Sequence, residues 1–152
     1  DKNILLVDDS IVRGNTSRQI IQLVKAAGAK KVYFVSYSPP VISPCLYGVD
    51  IPTYDELIGA GNTIEEIREF IGADELIYQT VDDMFKACGA GSSKVNDFCM
   101  GCFDKKYKTG DIDDDVLKEN ASLRCSDKIS SGCDSIESED DIDNGGPQLS
   151  LD

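Results

Sequence analysis

Asp8 and Asp9 stand side by side, and Ser10, Arg13, Gly14, Asn15, Thr16 and Ser17 follow within the stretch ILLVDDSIVRGNTS. Adjacent carboxylates can accept hydrogen bonds from vicinal hydroxyls or hold a hydrated magnesium ion. A small-residue loop that opens a helix favours the opposite charge, because its backbone N–H groups and hydroxyls collect an anion. Hydroxyls and phosphate of one ligand would thus bind a few residues apart, as a sugar phosphate requires. The loop backbone and Thr16 are the first choice for the phosphate, Arg13 a secondary one, and none of these groups is placed as a nucleophile.

The elements that must position these residues are legible on either side. Ile4, Leu5, Leu6 and Val7 form an apolar run suited to a parallel strand buried on both faces, with the acids at its carboxyl end. Residues 15–27 repeat apolar positions at helical spacing (Ile20, Ile21, Leu23, Val24, Ala27) and stop at Gly28. Residues 31–36 read as a second strand, so the unit should cross over right-handedly onto a parallel sheet, with the anion loop at its first turn. The class expected is α/β, a Rossmann-like parallel sheet.

Further along, Pro39, Pro40, Pro44, Gly48 and Pro52 forbid a long regular element. Thr53 with Glu56 and Thr63 with Glu66 have capping-box spacing, which predicts two short helices, the second turning Ile64, Ile67, Phe70 and Ile71 to a core. Residues 75–79 suggest a short strand. Residues 80–88 suggest a last helix with Val81, Met84 and Phe85 inward. From Asp111 onward the chain is rich in Asp, Ser and Gly and is expected to be a disordered acidic tail, giving a folded part over 1–110 and a tail over 111–152.

The chain of 152 residues carries a net charge of −13 and no histidine. Residues 111–152 hold thirteen acids and three bases, so most of that charge lies in the tail and the remainder is near neutral. Such a balance argues against a nucleic-acid or anionic-membrane surface, which needs clustered Lys and Arg. No apolar run reaches the roughly 18 residues of a membrane span. The first residues enter a strand at once, and the chain reads as a piece of something longer.

Six cysteines could be three disulfides of a secreted domain, but an α/β enzyme pattern without a dense cysteine scaffold fits that poorly. Cys99 and Cys102 form C-x-x-C, which by spacing alone means a metal, a redox dithiol or nothing. Zinc in a four-cysteine site, with Cys88 as a local ligand, is one possibility. Cys125 and Cys133 read as solvated tail thiols.

The strand, acid pair and loop resemble the phosphoribosyl pyrophosphate (PRPP) motif of the type I phosphoribosyltransferases. The form VDDSIVRG followed by SPPVISPCLYGVDIPT resembles the glutamine PRPP amidotransferases, or amidophosphoribosyltransferases, over residues 1–110. That resemblance implies a partial type I phosphoribosyltransferase fold and a purine-synthesis glycosyltransferase of the glutamine amidotransferase type, located in the cytoplasm. Its substrates would be PRPP and glutamine, its inhibitors purine nucleotides and its assembly a homo-oligomer. It also implies that Asp8 and Asp9 hold ribose hydroxyls directly or through Mg2+, that residues 13–17 anchor the 5′-phosphate, and that Cys45, Cys99 and Cys102 give three thiolates to a [4Fe-4S] cluster whose fourth lies upstream. Asn15 departs from the family, where threonine is usual. Without the upstream glutaminase and pyrophosphate-binding parts, this chain alone is expected to lack glutaminase activity and to have little transferase activity.

Two other readings compete. A PRPP- or nucleotide-sensing module without catalysis would use the same loop. ILLVDDS also resembles the first strand of a response-regulator receiver, with Asp50 as phosphoacceptor, but the prolines before Asp50 forbid the buried strand a receiver needs there.

Overall fold

The structure, a computed structural model, describes residues 1–130 apart from 50, 52, 92, 93 and 96. Strands β1 (Asn3–Asp8), β2 (Lys31–Ser36) and β3 (Glu75–Tyr78) form a parallel sheet in the order β1-β2-β3. Helix α1 (Asn15–Ala26) connects the first two strands, and α2 (Ile64–Ile71) precedes the third. The α/β class and the strand, helix and strand unit are as the sequence predicts.

In register, Leu6 faces Phe34 and Phe34 faces Leu76. This row packs with Val32, Ile21 of α1, and Ile67 and Ile71 of α2 into the core. Each large side chain so removed from water contributes about 1.5–3 kcal/mol before the entropy of ordering is set against it. The neighbouring row behaves otherwise. Val7 pairs with Val35 and Val35 with Ile77, yet Val7 is 49% and Ile77 54% exposed, and Leu5 is 61% exposed. The expectation of a first strand buried on both faces is therefore corrected: α1 and α2 cover one face.

Helix α2 starts with the capping box expected of Thr63 and Glu66. The Glu66 N–H donates to Thr63 Oγ1 at 3.3 Å, and the Thr63 N–H donates to Glu66 Oε2 at 2.7 Å. Of its four apolar residues only Ile67 and Ile71 are buried; Ile64 and Phe70 lie on the exposed side. The other expected box does not form. Tyr54–Glu56 is a single 3-10 turn without a side-chain cap, because Glu56 is drawn to Arg13 instead.

Helix α3 (Val81–Gly89) is present, but none of its residues is buried, so Val81, Met84 and Phe85 do not point into this core. Phe85 meets Phe98 edge-on at 5.5 Å. A short helix, α4 (Gly101–Asp104), carries Cys102, and α5 (Asp114–Ser130) follows. Within the segment read as an acidic tail, residues 114–130 form this helix. Asp113 Oδ1 accepts from the N–H groups of Asp115 and Val116, and Leu117, Lys118, Glu119 and Ala121 favour a helix. A helix needs only local hydrogen bonds, whereas the composition argued against a core. The tail beyond residue 130 and Cys133 lie outside the described residues, as does Asp50. Contacts divide the chain into a unit of Asp1–Leu117 and another of Lys118–Asp152.

Candidate functional site

The ladder between β1 and β2 continues past the last residues of both strands. Tyr37 N–H donates to the Asp8 carbonyl and Ser38 N–H to the Asp9 carbonyl, each at 2.9 Å, so the backbone of the acid pair is held by the loop after β2. Asp8 Oδ1 accepts from the Asp9 N–H at 2.9 Å, and the Ser10 hydroxyl donates to Asp9 Oδ1 at 2.8 Å. These bonds fix where the carboxylates stand at the carboxyl end of the sheet, where open α/β sheets place ligands.

Gly14 begins α1 with φ +79°, in the left-handed region, and the helix takes no side-chain cap and carries no acid in its first turn. Its leading N–H groups have no intrahelical partner by geometry, so they can accept an anion without competing with a resident carboxylate. Glycine is required twice over at this position. Besides the backbone conformation, a Cβ there would lie 2.9 Å from Ile58 Cδ1 and 3.0 Å from Phe70 Cε1.

Asp8, Asp9, Ser10, Arg13, Gly14, Asn15, Thr16 and Ser17, together with Val12, line one cavity of about 470 Å³. Every residue singled out for the sugar phosphate therefore borders the same space. Asn15 and Thr16 are exposed to it, while Ser17 is buried. Its lining joins an acid pair to the start of a helix, a combination that suits a ligand carrying both hydroxyls and a phosphate.

No protein-family model matches the chain. The amidophosphoribosyltransferase of Pseudomonas aeruginosa is 46% identical over 123 residues, covering 81% of this chain and 25% of that protein. That of Escherichia coli K12 is 47% identical over 124 residues, covering 82% and 25%. The solved structure of the glutamine PRPP amidotransferase from B. subtilis complexed with ADP and GMP is similar with a TM-score of 0.63 and 43% identity, over 70% of this chain and 24% of that one. The chain is homologous to a segment of the amidophosphoribosyltransferases. It spans about a quarter of the length of these amidophosphoribosyltransferases, and its parallel sheet is part of the type I phosphoribosyltransferase fold that they share.

The cysteines that the amidophosphoribosyltransferase resemblance singles out come from two clamped segments. Ile42 and Ser43 N–H both donate to the Cys102 carbonyl, at 2.9 and 3.1 Å, and the Tyr47 N–H reaches Cys45 Sγ at 3.4 Å. Burial, then the neighbouring Cys45, pushes the Cys102 thiol up to about 11, with Cys99 adding to the same effect. Cys45 and Cys99 thus both act on Cys102. Among the described residues, however, no three His, Cys, Asp or Glu side chains are grouped closely enough to hold a metal ion. Cys88 is exposed on α3.

Sequence reasoning passed over the polar network that joins these segments. Ser43, fully buried, bonds the hydroxyls of Tyr54 at 2.9 Å and Tyr107 at 2.6 Å, and Tyr107 also donates to the Pro44 carbonyl at 2.7 Å. Tyr47 is hydrogen-bonded as well, to Thr109 at 3.0 Å. Glu56 was also missed: its carboxylate takes Arg13 Nε at 2.6 Å. The only signal in the sequence was an acid with two possible uses, capping or pairing.

Proposed function

We propose that this chain supplies the PRPP-binding loop of an amidophosphoribosyltransferase. In the whole enzyme, glutamine, PRPP and water would give 5-phosphoribosylamine, glutamate and pyrophosphate, the first step of de novo purine synthesis. The observation that carries the reading is the single cavity shared by the acid pair and the uncapped, left-handed start of α1; the amidophosphoribosyltransferase relatives support it.

Ammonia released from glutamine at another site attacks C1 of the ribose as the C1–oxygen bond to pyrophosphate breaks. Positive, oxocarbenium-like charge develops at C1, so nearby carboxylates and a fixed ring orientation favour the transition state. Asp8 and Asp9 hold the ribose hydroxyls. The N–H groups and hydroxyls of residues 14–17 hold the 5′-phosphate, and Asn15 donates through its amide where a hydroxyl is usual. Asp8 and Asp9 would hold Mg2+ together with PRPP, and the ion would supply charge neutralisation for the leaving pyrophosphate. Purine nucleotides carry the same ribose phosphate and would inhibit by occupying the same loop, in keeping with the ADP and GMP of the B. subtilis relative.

Cys45, Cys99 and Cys102 would give three thiolates to a structural [4Fe-4S] cluster, the fourth coming from elsewhere in the longer protein; the support is that Cys45 and Cys99 both act on Cys102, although the described residues do not by themselves group into a metal site. The enzyme would work in the cytoplasm as a homo-oligomer. No helix among the described residues is long and apolar enough to cross a membrane.

The test is calorimetric titration of ribose 5-phosphate with magnesium into the chain and into an Asp8→Asn, Asp9→Asn variant, both shown folded by circular dichroism. Binding lost in the variant supports the reading. Equal binding by both proteins, or none by the folded wild type, removes it.

A further inference from the structure

Arg13 lies in the anion loop, yet its guanidinium is turned to Glu56, with Nε 2.6 Å and a terminal nitrogen 2.5 Å from the same carboxylate oxygen. The turn that carries Glu56 touches the loop at two further points. Ile58 N–H donates to the Val12 carbonyl at 3.0 Å, and Ile58 Cδ1 lies against Gly14, beside the Phe70 ring. The same turn is fixed from behind, because Tyr54 is bonded to the buried Ser43. A charge, a backbone bond and an apolar contact thus bear on three consecutive residues, Val12, Arg13 and Gly14, just ahead of the anion-binding start of α1.

We propose that Glu56 is a positioning residue for the anion loop, acting through Arg13, which serves as a strut of the loop and is not itself the phosphate ligand. The inference rests on the proposed phosphoribosyl site and deepens it. Its physical basis is that a cradle of N–H groups binds an anion well only when preorganised, since the cost of ordering the loop is otherwise taken from binding. A charge-assisted pair between a loop residue and a separately anchored turn removes that freedom.

The sign of one substitution separates this role from simple electrostatics. Glu56→Gln removes a negative charge beside an anion site, so by Coulomb's law alone it should tighten phosphate binding. A positioning role requires the reverse. Ribose 5-phosphate with magnesium would be titrated into the full chain, Glu56→Gln, Arg13→Gln and the double variant, with circular dichroism confirming that each is folded. The expected result is about tenfold weaker binding in each single variant and no further loss in the double, as for one interacting pair. Unchanged or tighter binding in Glu56→Gln overturns the inference, as does weakening confined to Arg13→Gln, which would make Arg13 a direct ligand. Those outcomes leave the phosphoribosyl reading standing. That reading fails separately, and this one with it, if the folded wild type does not bind or if Asp8→Asn, Asp9→Asn binds equally well.

Discussion

Ile58 fills the space that a side chain at position 14 would need: its Cδ1 lies 2.9 Å from where a Cβ on Gly14 would stand. Gly14→Ala therefore meets two penalties, the positive φ of +79° and a clash with Ile58 and Phe70. Together they should destabilise the chain by about 2–4 kcal/mol. Part of the relaxation would displace the loop, so ribose 5-phosphate affinity should fall in the fraction that stays folded. Urea denaturation followed by titration of the folded variant measures both effects.

Tyr107→Phe deletes the hydroxyl that meets both Ser43 Oγ and the Pro44 carbonyl. Ser43 keeps Tyr54, but the Pro44 carbonyl loses this donor, so the expected cost is about 1–3 kcal/mol in urea denaturation. Tyr54→Phe leaves the Tyr107 bonds in place and should cost less. Equal losses in the two variants would mean that the network is not centred on Tyr107.

Tyr78 presents the opposite case. Its hydroxyl is buried with no hydrogen-bond partner among the described residues, and burial pushes its ionisation up to about 12. The ring packs on the core, so Tyr78→Phe keeps the apolar contact and removes only the unmatched oxygen. The variant should be as stable as the wild type or more stable, by up to about 1 kcal/mol. A clear loss in thermal denaturation would reveal a partner for that hydroxyl.

The lining of the candidate site was legible because it is local. Asp8 to Ser17 are contiguous, and an apolar run, two acids and a small-residue loop define a strand, a turn and a helix start without knowledge of the rest of the fold. What was not legible is non-local. Glu56 matches a capping-box spacing with Thr53, and only the folded chain brings Arg13 within its reach, across 43 positions. The apolar run Ile4 to Val7 reports that a strand can be buried on both faces, while the exposure of Leu5 and Val7 depends on which elements cover it. The same distinction explains α5, whose composition speaks about packing and whose backbone answers to local propensity and the Asp113 cap.

Cys102 should be the slowest of the described thiols to alkylate. Burial and the neighbouring Cys45 raise it to about 11, whereas Cys88 and Cys99 are exposed. The thiolate is the reactive form, so at pH 8 few Cys102 side chains are available. Iodoacetamide labelling read by mass spectrometry should place Cys102 last, with its rate still rising between pH 9 and 11. Zinc or iron held by this thiol would have to displace a tightly bound proton, so proton release on metal addition should be measurable below pH 9. Labelling of Cys102 as fast as Cys99 would contradict the burial argument.

Asp74 links the turn after α2 to β2, its carboxylate accepting from the Val32 N–H at 2.8 Å with Lys25 3.6 Å away. The Val32 N–H first, and Lys25 and Lys31 after it, hold this carboxyl below its ordinary value of 3.8. A lowered carboxylate contributes stability that is present above the unfolded value and lost as pH falls through the folded one. Asp83 and Asp97 shift in the same direction, through Thr80 and Lys108 respectively, so the chain should lose stability on acidification below about pH 4. Asp74→Asn separates one contribution from the others. Its amide oxygen can still accept from Val32, but it carries no charge toward Lys25 and does not titrate. The variant should therefore be less stable than the wild type at pH 7 and approach it at pH 3, as read by urea denaturation at the two pH values. A stability difference independent of pH would show that ionisation of the Asp74 carboxyl is not what the variant loses.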